Sequence, residues 1–216
     1  MSGKILNITN GDVFNHYLFN RCGGMAVPFR EVMMDGETVI DIYSDEYIKL
    51  RAAEHNISVE EYKADMTVYN ALFNECYSEL ILWFGKDTFC QINLCTLLAY
   101  LEQIDYTGRI TLNYIDDETF ETLEENINIE LGSYVESYKK ILIEKELPDN
   151  TGVLLPDAVE LYFDYLSDNG VLAELIYNNR DREESDIICI ILENSKLYGL
   201  SDIQASKLIK KYKDRV

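Results

Sequence analysis

The chain has 216 residues and a mass of 25.0 kDa, with 39 acidic against 19 basic side chains and a net charge of −20. That charge repels a polyanion over most of the surface and disfavours nucleic acid as a partner, while 47% apolar residues with 16 tyrosines and 8 phenylalanines argue against a disordered chain. No apolar run approaches the roughly 20 residues of a membrane-spanning helix, and Met1-Ser2-Gly3-Lys4 leads into a strand rather than a signal-peptide core, so a cytoplasmic protein with one good core is expected.

Lys4 to Thr9 reads as a short apolar strand and Asn10-Gly11-Asp12 as the turn behind it, with Gly11 free to take positive φ. Asp12 then caps a helix expected to reach about Arg21, with Val13, Tyr17 and Leu18 on its inner face. A helix N-terminus behind a glycine turn offers free N–H groups to an anion. The Asp12 carboxylate competes for the same groups, so a capped turn and a ligand contact both fit. Gly23-Gly24 ends the helix, and Met25 to Phe29 is a second strand that Pro28 places at a sheet edge or at the end of its ladder. Arg30 follows at once, either as a clamp for a carboxylate or phosphate or as a partner of Glu31 or Asp35. Met33 to Glu37 is a loop.

From Thr38 to Cys76 the pattern is helical. Asp45 to Ala53 forms one helix, and the capping-box spacing Ser58-Val59-Glu60-Glu61 opens a second that reaches about Asn74. Tyr62, Met66, Tyr69 and Phe73 recur at helical spacing and pack in the core. Arg51, on the first of these helices, faces either the site or solvent.

Ser78 to Phe84 carries five apolar residues in a row, which suits a strand covered on both faces, and it is the expected centre of the sheet. Its polar tip, Gly85-Lys86-Asp87, lies where open α/β sheets bind ligands. Asp87 caps a helix from Thr88 to about Ile104. Gln91 lies one turn on, nearest the strand tip, and shares a face with Leu94, Leu98 and Leu101, so Asp87 and Gln91 can both reach a ligand above the sheet. Arg109 to Ile115 is a further strand nearer an edge, and Asp116-Asp117-Glu118 is a solvated turn. Beyond it, Phe120 to Lys145 is acidic and loosely helical, and Leu147 to Gly152 is a linker. Helices are expected at Pro156–Leu166, Val171–Asn178, Glu183–Asn194 and Ser201–Tyr212, with Pro156 in a first turn. Tyr198-Gly199-Leu200-Ser201-Asp202 fits a helical hairpin better than a DNA-reading joint in so acidic a chain. Lys207, Lys210, Lys211, Lys213 and Arg215 crowd the C-terminus as a basic patch.

The fold class that follows is α/β: a small, mostly parallel sheet flanked by helices in three layers, Rossmann-like, over residues 1–146, followed by an all-helical region over 147–216. Cys22, Cys76, Cys90, Cys95 and Cys189 are odd in number and contain no CxxC, and His16 and His55 are the two histidines, so buried free thiols are expected rather than a disulfide framework or a metal-ligand set.

These residues resemble a bacterial family, the domain of unknown function 1835. Its first strand ends in Asn-Gly-Asp, as Asn10-Gly11-Asp12 does here. A Trp-Arg-Asp/Glu segment followed by Glu-Gly resembles Phe29-Arg30-Glu31 and Asp35-Gly36, and an Arg-Ala pair resembles Arg51-Ala52. A Leu-Trp-Phe-Glu-His-Asp segment with Gln and Leu beyond it is similar to Leu82-Trp83-Phe84-Gly85-Lys86-Asp87, Gln91 and Leu94. The resemblance spans roughly residues 4 to 115. It departs at Gly85-Lys86, where the family has Glu-His, and at Val13, where a serine is frequent. If that histidine is an acid or base in relatives, Lys86 has to act differently here. The family brings no assigned activity and supports the place of a site more than its chemistry.

Two functions remain open on sequence. The first is binding of, and action on, a small phosphorylated or nucleotide-like ligand, with Asp12 and Asp87 as catalytic carboxylates, Arg30 and Lys86 as anion contacts, and Asn10, Gly11, Arg51 and Gln91 completing the site; such a carboxylate pair can hold a divalent ion or act as a base. No P-loop or GxGxxG names a cofactor. The second is a non-catalytic regulatory module with a degenerate site, whose C-terminal helices bind a protein partner.

Overall fold

The first strand, β1 (Ile5–Asn10), lies between two parallel neighbours, β2 (Ala26–Phe29) and β3 (Glu79–Phe84). In the computed structural model, which describes residues 4–22, 25–74 and 76–212, they belong to one five-stranded sheet of order β2-β1-β3-β4-β5. β4 (Arg109–Ile115) pairs parallel to β3, and β5 (Thr122–Ile129) pairs antiparallel to β4. The expected helix stop at Gly23-Gly24, the side chain of Cys22, and Lys213 and Arg215 lie outside the described residues.

Side chains alternate across a strand, and the two faces of this sheet differ. On one face Leu6, Ile8, Leu80, Leu82, Phe84, Ile110 and Leu112 are fully or almost fully buried. Each such side chain contributes about 1.5–3 kcal/mol of hydrophobic stabilisation. Over them lie α5 (Thr88–Gln103) and the aromatic residues Tyr43, Tyr47, Tyr69 and Phe73, contributed by α2 (Asp45–Glu54), α4 (Asn70–Asn74) and the segments beside them. The other face is covered by α1 (Asp12–Cys22), whose Phe14 and Leu18 pack with Tyr17 on Trp83, Ile115 and Phe120. Val13, expected inside, is 72% exposed; it stands about 100° around the helix from Phe14, off the stripe that meets the sheet. Consequently the apolar run of β3 is not buried evenly: Ile81 and Trp83 stay half exposed under a single helix.

Several expectations are corrected. Thr38–Ser44 is irregular rather than helical. The helix opened by the Ser58–Glu61 capping box is real but broken, with α3 (Val59–Asp65) passing into a 3₁₀ turn at Met66–Tyr69 before α4. β4 lies nearer an edge, as expected, but not at it, because β5 forms the edge beyond it. Residues 120–145 therefore hold a strand before their helical part, α6 (Tyr134–Tyr138) and the π-helical turn Lys139–Glu144. Cys76 and Cys189 are exposed thiols, whereas Cys90 and Cys95 are buried.

The C-terminal helices follow the sequence closely: α7 (Pro156–Leu166), α8 (Val171–Asn178), α9 (Glu184–Asn194) and α10 (Asp202–Tyr212). Leu154, Val159, Tyr162, Ile176, Ile187 and Leu208 join the same buried cluster as the sheet. With α6 and α7 packed against it, α5 is buried around nearly its whole circumference. No helix among the described residues is long and apolar enough to cross a membrane.

Candidate functional site

Because β1 and β3 run parallel side by side, their polar tips, Asn10-Gly11-Asp12 and Gly85-Lys86-Asp87, emerge at the same carboxyl edge. The chain leaves β1 towards β2 on one side and returns to β3 on the other, so this edge holds the switch point at which doubly wound sheets bind ligands. Gly11 takes φ +84°, a conformation that favours glycine, and its N–H donates to Phe29 O at 2.9 Å, tying the two tips on the β2 side together.

The expected site residues divide between two cavities. On the β2 side, Asp12 accepts from Arg30 Nε at 2.9 and 3.1 Å and from Nη2 at 2.7 Å. Both side chains are exposed, and the bond to Asp12 holds the Arg30 guanidinium still more firmly protonated. Arg30 thus pairs with Asp12, not with Glu31 or Asp35. They rim a cavity of about 530 Å³ whose walls include Glu31, His55, Tyr62, Asp65 and Tyr69. Glu31 is buried and accepts from Tyr62 Oη at 2.8 and 3.0 Å. Desolvation raises its carboxyl pKa against the opposing pull of Arg51. His55, half-buried and stacked on Tyr62, has its pKa lowered by burial, with Arg51 and Lys207 adding to the effect.

Arg51 does not face a ligand. It is fully buried, donating from Nη1 to Asp35 O at 2.6 Å and from Nη2 to Val32 O at 2.7 Å, with Nε 3.8 Å from Glu31. A second clamp holds the same loop: Asn93 Nδ2 donates to Glu31 O at 2.6 Å and to Asn10 Oδ1 at 3.0 Å, while its Oδ1 accepts from Met33 N. The sequence reading missed Asn93, which lies inside an otherwise apolar helix and carries no motif.

On the β3–β4 side, Asp87 is the N-cap of α5 and accepts from Cys90 N at 2.9 Å. Gln91 is also not free for a ligand. Buried beneath the tip, its Nε2 donates to Gly85 O at 2.8 Å and its Oε1 accepts from Leu155 N at 3.1 Å. Lys86 is exposed, 3.4 Å from Glu124 and over the ring of Tyr114.

The expected solvated turn at Asp116-Asp117-Glu118 is only partly that. Asp116 caps it by accepting from Thr119, but Asp117 turns its carboxyl inward. A Cβ on Gly85 would lie 2.1 Å from Asp117 Oδ2 and 2.7 Å from Asp87 Oδ2, so the two carboxylates occupy the space that a side chain at position 85 would take. Asp87, Cys90 and Asp117 can each turn a ligand atom to within 4.8 Å of the others, where the sequence spacing had offered no metal-ligand set. Cys90 Sγ accepts from Asn10 Nδ2 at 2.8 Å, which joins this group to the tip of β1.

Electrostatics of the group follow from its crowding. Desolvation, with Asp87 as the nearest negative neighbour, pushes the Asp117 carboxyl up to about 7, although much of the residue is exposed; it is the inward-facing carboxyl end that is crowded. Asp117 therefore stays partly protonated near neutral pH. Burial pushes the Cys90 thiol well up, Asp87 and Asp117 adding to the effect, so it is a neutral thiol and not a thiolate nucleophile. Above the group opens a cleft of about 520 Å³, lined by Lys86, Asp116, Glu118, Ile115, Leu123 and, from the joint between the last two helices, Ser195, Lys196, Leu197, Gly199 and Leu200. Its lysines are already engaged, Lys86 with Glu124 and Lys196 with Glu118. No cation faces the carboxylate pair among the described residues.

Set against family models, curated proteins and solved structures, the chain matches none.

Proposed function

We propose that the protein binds a small phosphorylated ligand at the carboxyl edge of its sheet, in the cleft over Asp87 and Asp117, through a divalent cation that these carboxylates hold. The observation that carries this reading is the Asp87–Asp117 pair, two carboxylates pressed together at the switch point with no positive partner among the described residues. A divalent ion relieves that repulsion, keeps open coordination positions, and draws phosphate oxygens into a cleft whose own charge is negative. Lys86 and Lys196, held in surface ion pairs with Glu124 and Glu118, would turn to the outer oxygens of such a ligand.

A second reading, a regulatory module without catalysis, is favoured by one specific feature: Asp12 and Arg30 line a different cavity from Asp87, and Gln91 and Arg51 line neither. The two readings part in a thermal-shift experiment with Mn²⁺ alone and Mn²⁺ with pyrophosphate. Ligand at a hundred times its Kd stabilises by about 2.7 kcal/mol, a rise of roughly 5–10 °C for a chain of this size. The expected result is such a rise with each addition, absent in Asp87→Asn and Asp117→Asn. A wild-type melting temperature unmoved by either probe refutes the ligand reading and leaves the regulatory one.

A further inference from the structure

The N–H groups opening a helix at a switch point are the usual seat of a ligand phosphate. In α5 they are already filled, and from far along the chain. Thr88 N donates to Leu197 O at 2.9 Å and Phe89 N to Tyr198 O at 3.0 Å, while Thr88 Oγ1 adds a bond to Leu197 O at 3.2 Å. The next residue, Gly199, takes φ +70°, and its backbone comes so close that a Cβ there would lie 2.0 Å from Asp87 Oδ1. The joint between α9 and α10 therefore lays two carbonyl oxygens on the first turn of α5 and its glycine against one of the two cleft carboxylates.

We infer that this joint is an internal competitor that occupies the first turn of α5 at the wall of the cleft, and that a phosphorylated ligand binds fully only by displacing it. The inference rests on the phosphorylated-ligand reading above and adds its regulation. A phosphate on a cation held by Asp87 and Asp117 reaches Thr88 N and Phe89 N only where Leu197 O and Tyr198 O now stand. The joint is held in a way that allows exchange. Leu197 is 71% exposed, and the Lys196–Glu118 ion pair beside it is a surface contact. Its main anchor is Tyr198, buried, with Oη donating at 2.6 Å to Oδ2 of Asp164, which does not line the cleft. Two neutral carbonyls are weaker acceptors for these N–H groups than a phosphate dianion, whose charge-assisted bonds are about twice as strong.

When the competent state is only partly populated, apparent affinity falls by the populated fraction. Loosening the anchor therefore tightens binding. The test is calorimetric titration of pyrophosphate in the presence of Mn²⁺, on wild type and Tyr198→Phe, with hydrogen exchange followed at residues 195–200. Tyr198→Phe keeps the buried ring and removes only the bond to Asp164, so it leaves the cleft residues untouched. The expected result is a 3- to 10-fold tighter Kd in Tyr198→Phe, and faster exchange of the Tyr198 and Gly199 amides in wild type when pyrophosphate is added. Equal affinities with unchanged exchange at the joint overturn the competitor while leaving the ligand reading standing. Absence of pyrophosphate binding in both proteins overturns the ligand reading and the competitor with it.

Discussion

Arg51→Met is expected to lower the stability of the protein by about 3–5 kcal/mol, the cost typical of removing one partner from a buried charge network. Methionine nearly fills the volume, so the loss is not a cavity effect. It comes from Val32 O and Asp35 O, which lose their donors, and from Glu31, which is left buried without the guanidinium beside it. Urea unfolding measures the change. Adding Glu31→Gln to Arg51→Met should recover part of it, because the unpaired buried carboxylate is then gone. A loss below about 1 kcal/mol, or no recovery in the double variant, contradicts the role given to Arg51 as the clamp of the 31–36 loop.

Gln91→Leu is the second large effect, at about 2–5 kcal/mol. Leucine is apolar and similar in size, but it leaves Gly85 O and Leu155 N without partners in the interior, and each buried unsatisfied group costs about 1–3 kcal/mol. Those two groups belong to the tip of β3 and to the segment entering α7. The variant should therefore raise hydrogen exchange at Leu155 as well as lower the urea midpoint. A variant as stable as wild type would mean that Gln91 does not hold the tip to the C-terminal helices.

Both residues were expected as ligand contacts, and the reason they are not is instructive. Gln91 is one turn beyond the Asp87 cap, where a ligand contact would sit, but spacing along a helix does not reveal what packs over it. Here the segment before Pro156 does. Arg51 lies on an amphipathic helix, where a charged residue reads as outward facing, yet the carbonyls of a loop 15–20 residues earlier in the chain draw it in. The local features were the legible ones. Asp87 caps α5 as its position predicts, Ser58 and Glu61 form the capping box, and Pro156 opens α7 at its first turn. β1 and β3 end together because a parallel pair must. What the sequence concealed was long-range. β5 (TLEENINI) is exposed along most of its length and shows no apolar alternation, so the strand signal was missing. Asp117 sits thirty positions from Asp87, and nothing in its acidic neighbourhood marks it as inward facing. The α9–α10 joint reads as a simple hairpin because its partner, the first turn of α5, lies about a hundred residues earlier.

The distribution of the predicted residues also bears on chemistry. Asn10 links the Asn93 clamp of the 31–36 loop to the Asp87 group, bonded to Asn93 and to Cys90. The volume that a side chain at position 85 would fill is held by the carboxylates of Asp117 and Asp87.

Proton release on cation binding tests the central claim most directly. Desolvation, with Asp87 beside it, pushes the Asp117 carboxyl up to about 7, so below that pH Asp117 carries a proton that an incoming ion must expel. Mn²⁺ titrated calorimetrically at pH 6, in buffers of different ionisation enthalpy, should release about one proton per ion bound; at pH 8.5 it should release close to none, with tighter binding. Asp117→Asn should abolish the proton release and most of the affinity. Mn²⁺ that fails to bind, or that binds with the same stoichiometry of protons at both pH values, would contradict a cation seat at the carboxylate pair.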